Sequence, residues 1–141
     1  MSLTRKVFAL PFAAAMLLVS AGGASAAPPK AEIIVEKDLT GFLIENACDT
    51  EDITVLEGFF RTVILTFPDG TIKQRLTTHL KGVGASGTKY IANQTLQDNF
   101  DGTAYKGRSE AVLVSKGPQP NVVMTFRWDG EDSSANTVCR G

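Results

Sequence analysis

Polar and apolar residues alternate with a period of two along much of the chain, and this pattern most limits the folds open to it. Ile72, Leu76 and Leu80 share one side of an extended segment, while lysine, arginine and histidine occupy the other side. Residues 122–129 alternate in the same way. Because successive side chains of a β-strand point to opposite faces, both segments predict strands with one solvated face.

Six further stretches predict weaker strands, and turn residues separate them. Asp-Gly pairs at 69–70, 101–102 and 129–130, and a Gly-Ala-Ser-Gly run at 84–87, suit tight reversals. No window shows a helical stripe, so we expect an all-β fold. It should be a small antiparallel β-barrel of seven or eight strands, with a β-sandwich as the alternative. The weaker strands are predicted at 33–36, 41–48, 53–67, 89–97, 105–115 and 137–139.

Residues 1–26 have the features of a Sec-type signal peptide. Arg5 and Lys6 precede an apolar run, and an Ala-Ser-Ala pattern suited to signal peptidase closes the segment. A transmembrane anchor is the alternative interpretation. We expect cleavage after position 26, a single secreted β domain over 27–141, and no membrane span in the mature chain.

Cys48 and Cys139 are the only two cysteines, and they lie near the two ends of the predicted β domain. A lone pair in an exported protein is most simply a structural disulfide. A redox or metal role is disfavoured, because the chain has no Cys-x-x-Cys motif and one histidine. Since the first and last strands of an up-and-down barrel are neighbours, a bridge between them favours closure, which also removes exposed edges.

The predicted mature chain is mildly acidic. The full chain has 14 basic and 15 acidic residues, and loss of Arg5 and Lys6 leaves 12 basic against 15 acidic, a formal net charge of −3. Such a surface does not attract nucleic-acid phosphates or anionic lipid. We therefore expect no nucleic-acid partner, and the sequence identifies no protein partner.

One glycine-rich segment matches a nucleotide-binding motif by spacing alone. Gly82, Gly84 and Gly87 form G-x-G-x-x-G, but the chain continues as a strand where a dinucleotide site requires a helix. We interpret the segment as a hairpin and expect no cofactor. Ser86 in the same segment has only His79 as a histidine partner, and His79 lies on the charged strand face. No catalytic residue is assigned.

Carboxylates support a weaker enzyme alternative. Glu57 alternates with buried positions, but we expect it to pair with Arg61 or to point outward through a bulge beside Gly58. The acidic clusters at 49–52 and 129–132 lack the spacing of a calcium loop, so no metal site is assigned. The other carboxylates of this alternative are Glu45, Asp98 and Glu110.

Aromatic and large apolar side chains occur on most predicted strands, where they either fill a solid core or line a ligand cavity. Gln74 and Thr78 among leucines favour a lumen that is not fully dry. We expect a non-enzymatic binding module for an apolar or amphipathic small molecule. A surface module that binds other proteins and a cyclase- or isomerase-type barrel enzyme are the alternatives. The expected cavity lining is Phe42, Phe59, Leu76, Tyr90, Met124, Phe126 and Trp128.

Three segments, 42–48, 82–90 and Cys139-Arg140, together resemble a group of small exported bacterial proteins of unknown role. Those proteins have an Asn-Pro-Cys start, a Gly-Thr-Lys-Tyr centre and a cysteine followed by a basic residue at the end. Ala47 stands here in place of the proline. The glycine-rich centre is also similar to the barrel of allene oxide cyclases and dirigent proteins. The resemblance implies a secreted β domain without known catalytic residues, and the expected barrel is lipocalin-like or allene-oxide-cyclase-like.

Overall fold

The computed structural model of the chain describes residues 27–49 and 51–141. The predicted signal peptide lies outside the described residues. No helix occurs among those residues, and eight strands form one antiparallel sheet, which confirms the all-β expectation. The strands are β1 Lys30–Glu36, β2 Leu43–Ile44, β3 Ile53–Thr66, β4 Ile72–Gly84, β5 Lys89–Phe100, β6 Tyr105–Ser115, β7 Asn121–Asp129 and β8 Asp132–Arg140.

The turn residues act as predicted, and they explain most strand bounds. Gly70, Gly87, Gly102 and Gly130 all have positive φ, between 64° and 95°, at four of the five hairpin turns between β3 and β8. Asp129 pairs directly with Asp132 across a two-residue loop, so β8 begins five residues earlier than the predicted start at 137. β2 is much shorter than the predicted strand at 41–48 because the chain turns again at 46–49.

The expected barrel does not close, and residues 27–49 and 51–141 contain no second sheet to form a sandwich. The strand order is β1-β3-β4-β5-β6-β7-β8, with the short β2 beside β3, so β1 and β8 are the two edges of an open sheet. The barrel stays open because both early strands pair with β3, β1 along one half of it and β2 along the other. Neither strand pairs with β8.

We distinguish two ends and two faces of this sheet. The closed end contains the starts of β3, β5 and β7, and the open end contains the starts of β4, β6 and β8. The inner face carries the register partners Phe60, Thr78, Gln94, Ala111, Met124 and Thr137. The outer face carries their neighbours Phe59, His79, Asn93, Val112, Val123 and Val138.

The buried core is confined to the closed end. The segment between β1 and β3 crosses this end and places Leu39, which is 2% exposed, against Val55 and Leu80. Beside it, Ile53 and Tyr90 pack with residues of β6 and β7. A plug contributed by the 37–49 segment, rather than a ladder between β1 and β8, thus covers the core.

The predicted disulfide is present and belongs to the closed end. Cys48 and Cys139 are joined, with their Cα atoms 5.7 Å apart and a sequence separation of 91. Cys139 pairs with Val122 in the ladder of β7 and β8, and Cys48 packs on the same core. The bridge therefore ties the last strand to the plug.

Candidate functional site

The closed end contains a hydrogen-bonded cluster built around one carboxylate. Glu51 accepts hydrogen bonds from the Tyr90 hydroxyl at 2.6 Å, from the Ser86 hydroxyl at 3.0 Å and from the Ser86 amide at 2.9 Å. The Ser86 hydroxyl oxygen also lies 3.0 Å from that of Thr88, whose hydroxyl donates to Gln119 at 2.9 Å. The cluster joins the start of β3, the β4–β5 turn and the β6–β7 connection beside the disulfide.

The ionisation behaviour of this cluster indicates a structural role. Hydrogen bonds from Tyr90 and then from Ser86 hold the pKa of Glu51 below its ordinary value. Burial, followed by the Glu51 hydrogen bond and charge, raises the pKa of Tyr90 to about 12. At neutral pH the carboxylate therefore stays charged and the phenol stays protonated, so neither is suited to exchange a proton with a substrate.

The glycines of the G-x-G-x-x-G segment make room for this cluster, as the hairpin interpretation requires. β4 continues through Gly84 into a tight turn and then β5, without the helix that a dinucleotide site needs. A side chain at Gly84 would collide with the Glu51 carboxylate, and one at Gly82 would approach Ile53 Cγ2 to 2.6 Å. Gly87 supplies the positive φ of the turn.

At the open end, the inner face presents apolar side chains that are only partly covered. Phe126 is 50% exposed in the middle of β7, and Tyr105 on β6 is 52% exposed. Trp128 lies over Gly107 on the neighbouring strand, where any side chain would collide with the indole ring. Its indole nitrogen donates to Asp98 Oδ1 on β5 at 3.1 Å. Trp128 is therefore held flat against the sheet.

The structure does not bring the seven expected cavity residues together. Tyr90 is buried at the closed end, and Met124 packs beside the same core. Phe42 is 58% exposed in the plug, and Phe59 lies on the outer face, 6.2 Å from the His79 ring. Leu76, Phe126 and Trp128 alone share the inner face of the open end. In place of an enclosed lumen, the described residues leave an open, uncovered part of the inner face, here called the trough.

The remaining candidate side chains have local partners. Glu57 is exposed and forms an ion pair with Lys81 at 2.6 Å, not with Arg61. A register shift between Val55 and Glu57 turns it outward, as expected for a bulge beside Gly58, whose φ is 150°. His79 Nδ1 lies 2.7 Å from Asn93 Oδ1 on the outer face. Glu57 and His79 line one open depression on the outer face together with Lys37 and Lys81.

Two side-chain contacts of the structure have only weak signals in the sequence. Glu51 was grouped with other acidic loop residues, although the Gly82 and Gly84 pair in a strand signals a close approach by another segment. The contact of Trp128 with Asp98 joins residues 30 positions apart, and only the glycine at 107 hints at it.

Comparisons with known proteins add no assignment. No family model matches the chain, and no match was found among curated proteins or solved structures. Within 27–49 and 51–141, no cluster of three or more His, Cys, Asp or Glu residues is placed to hold a metal ion. The described part of the chain also has no helix that is long and apolar enough to cross a membrane.

Proposed function

We propose that the protein is an exported, non-enzymatic binding module that holds an apolar or amphipathic small molecule on the inner face of the open end. The observation that carries the proposal is Phe126, which is half exposed between Met124 and Trp128 of the same face, in a part of the sheet that no other described segment covers. Exposed apolar patches of this kind mark ligand or partner sites. The disulfide is compatible with an extracellular location and supports the proposed export.

The open trough favours an amphipathic ligand over a fully apolar one. Its floor is apolar at Leu76, Leu96 and Phe126, while Gln94 and Ser109 add a polar pair joined by a 3.0 Å hydrogen bond. A bound chain would rest its apolar part on the floor and keep its polar end in solvent. Because the Trp128 indole is already held by Asp98, it offers contact area to a ligand without a further loss of side-chain entropy.

The test uses Trp128, the only tryptophan of the chain, as a reporter. The mature chain is titrated with lauric acid and with anilinonaphthalene sulfonate, and binding is followed by Trp128 emission and by calorimetry. Phe126→Ser should weaken binding about tenfold or more, because it removes the centre of the apolar floor. Phe59→Ser, on the outer face, is the matched control and should change binding less than about twofold. Equal effects of the two variants, or no saturable binding, would overturn the proposal.

A second candidate is self-assembly through the β1 edge, and it rests on three consecutive apolar residues. Ile33, Ile34 and Val35 are 58%, 48% and 49% exposed on an unpaired strand edge. Antiparallel pairing of two copies about Ile33 would place Lys30 opposite Glu36 at both ends, so the charges match. Charged residues on this edge also restrain such pairing.

Sedimentation equilibrium separates the two candidates. If β1 mediates assembly, the mature chain dimerises at micromolar concentration and Ile33→Lys makes it monomeric, because a charge then enters the new ladder. Val138→Lys on β8, the other edge, is the matched control and should leave the dimer intact. A wild-type chain that stays monomeric at all concentrations would exclude this candidate and leave the ligand proposal untouched.

A further inference from the structure

The two faces of the sheet differ sharply in charge, although the chain as a whole is acidic. Across β3 to β7 the inner face has no lysine or arginine, and its one charged residue is Asp98. The outer face has eight basic residues against three acidic ones, Glu57, Glu110 and Asp129. The basic residues are Arg61, Lys73, Arg75, Lys81, Lys89, Lys106, Arg108 and Arg127.

The lysines and the arginines of this face differ in their interaction partners. Lys81 and Lys106 form the two salt bridges found in the described part of the chain, and Lys73 lies 5.2 Å from the centre of the Phe67 ring. None of the four arginines has a carboxylate partner there. Unpaired guanidinium groups that are concentrated on one face are available to an external anion.

The arginines lie close together, and repulsion between their charges destabilises the fold when no anion is bound. Arg75 pairs with Gln97, Gln97 with Arg108, and Arg108 with Arg127, so one row of the sheet contains three arginines. Arg108 and Arg127 are directly opposite each other, a placement of like charges that destabilises a sheet. Their mutual repulsion would be relieved by an oxyanion placed between them, and guanidinium groups bind carboxylate or sulfate in bidentate fashion.

The surface around the row is concave and elongated. One depression of about 340 Å³ includes Arg108 and Arg127, and a second of about 540 Å³ includes Arg61 and Arg75. Gln97 lines both, so the depressions adjoin. Together they cross β3 to β7, a width of about 19 Å at the usual spacing of strands. This length suits an extended polymer better than a single small anion.

We propose that the row of Arg75, Arg108 and Arg127 on the outer face, here called the arginine row, binds an extended acidic polysaccharide. The arginines would contact the carboxylate or sulfate groups of the polysaccharide. Asn93, Thr95 and Thr125 line the first depression and offer hydrogen bonds to sugar hydroxyls. The outer faces of β5, β6 and β7 have no aromatic side chain on which a nucleobase would stack, which disfavours a single-stranded nucleic acid. The first depression also contains Glu110 and borders Gln94, Ser109 and Phe126 of the inner-face site, but the proposal rests on the arginines of the outer face and does not require a ligand on the inner face.

Binding is measured on the mature, oxidised chain at about 50 mM salt, where screening is weak. The probes are labelled heparin, which carries sulfate and carboxylate, and polygalacturonate, which carries carboxylate alone. Dextran and oligo-deoxythymidine are the neutral and nucleic-acid controls. We expect saturable binding to at least one of the two acidic polysaccharides, none to dextran, and weaker binding to the oligonucleotide. Heparin alone would assign sulfate as the recognised group, and binding of both would assign carboxylate.

Variants of equal charge decide whether the row itself is the site. Arg108→Gln with Arg127→Gln should weaken binding about tenfold or more and reduce the salt dependence by about two ionic contacts. Lys30→Gln with Lys116→Gln removes the same charge elsewhere and should change affinity less than about twofold. Arg108→Lys with Arg127→Lys keeps the charge but loses bidentate geometry, so an intermediate affinity is expected. Equal losses from the first two pairs, equal binding of oligonucleotide and polysaccharide, or no binding to either polysaccharide would overturn the proposal.

Discussion

The closed and open ends of the sheet are built from the same strands but differ in what covers their inner face. At the closed end, Leu39 and the plug lie over Val55 and Leu80, and the disulfide fixes the plug to β8. At the open end, Phe126 remains half exposed, and Trp128 lies over Gly107 of β6 and donates a hydrogen bond to Asp98 of β5. Folding stability and ligand contact are therefore expected to reside in different halves of one sheet.

The largest expected effect is loss of the bridge that fixes the closed end. Replacing Cys48 and Cys139 together by alanine should lower the free energy of unfolding by about 4 kcal/mol, because a long loop is no longer closed in the unfolded chain. Urea denaturation at neutral pH measures this loss. Trp128 emission of the folded variant should stay unchanged, and a shifted emission would show that the bridge also supports the open end.

Two leucines on β4 allow the contribution of each end to the unfolding free energy to be compared directly. Leu80 is 6% exposed and packs in the core, whereas Leu76 lies four residues away on the same face and is only partly buried. Leu80→Ala should cost about 3 kcal/mol of unfolding free energy, and Leu76→Ala about 1 kcal/mol, because only the first leaves a cavity. Denaturant titration of both variants is the measurement. Equal losses would mean that the open end is as well packed as the closed end.

The Glu51 and Tyr90 contact makes the closed end sensitive to pH. Tyr90→Phe should lower the unfolding free energy by about 1.5 kcal/mol at neutral pH, since it removes a hydrogen bond to a charged group. Ser86 still donates to Glu51 in this variant. Chemical denaturation across a pH series gives the profile.

The sign of each pH dependence follows from the direction of the pKa change. The lowered pKa of Glu51 gives stability that is present above its ordinary value of 4.5 and is lost as the pH falls through the folded value. The raised pKa of Tyr90 gives stability that is present below pH 10 and is lost as the pH rises to about 12. The difference between wild type and Tyr90→Phe should therefore be greatest at neutral pH and shrink at both extremes. A constant difference would contradict the assignment.

Local patterns in the sequence predicted the strands well, because each depends on nearby residues. The alternation of Ile72, Leu76 and Leu80 against charged neighbours is the pattern that the structure has on β4. The Asp-Gly pairs likewise set their own positive φ at Gly70, Gly102 and Gly130. The disulfide was predictable because the chain has only two cysteines.

Closure of the sheet was not predictable in the same way, because it depends on contacts between distant segments. The position of Leu39 over Val55 and Leu80 has no local signal, and it replaces the expected pairing of the first and last strands. The arginine row is also invisible in the net charge. Arg108 and Arg127 become neighbours only through the register of β6 and β7, so a net charge of −3 for the predicted mature chain hides a basic face.

The smallest expected effect on stability concerns the contact that holds the open end. Asp98→Ala removes the acceptor of the Trp128 indole, so the ring should move away from Gly107 and its emission should shift to longer wavelength. The free energy of unfolding should fall by less than about 1 kcal/mol, since the contact lies outside the core. Asp98→Asn keeps an oxygen acceptor at the same position and should leave the emission unchanged. A loss from Asp98→Ala as large as that from Leu80→Ala would make the open end part of the folding core, and the contrast between the two ends would fail.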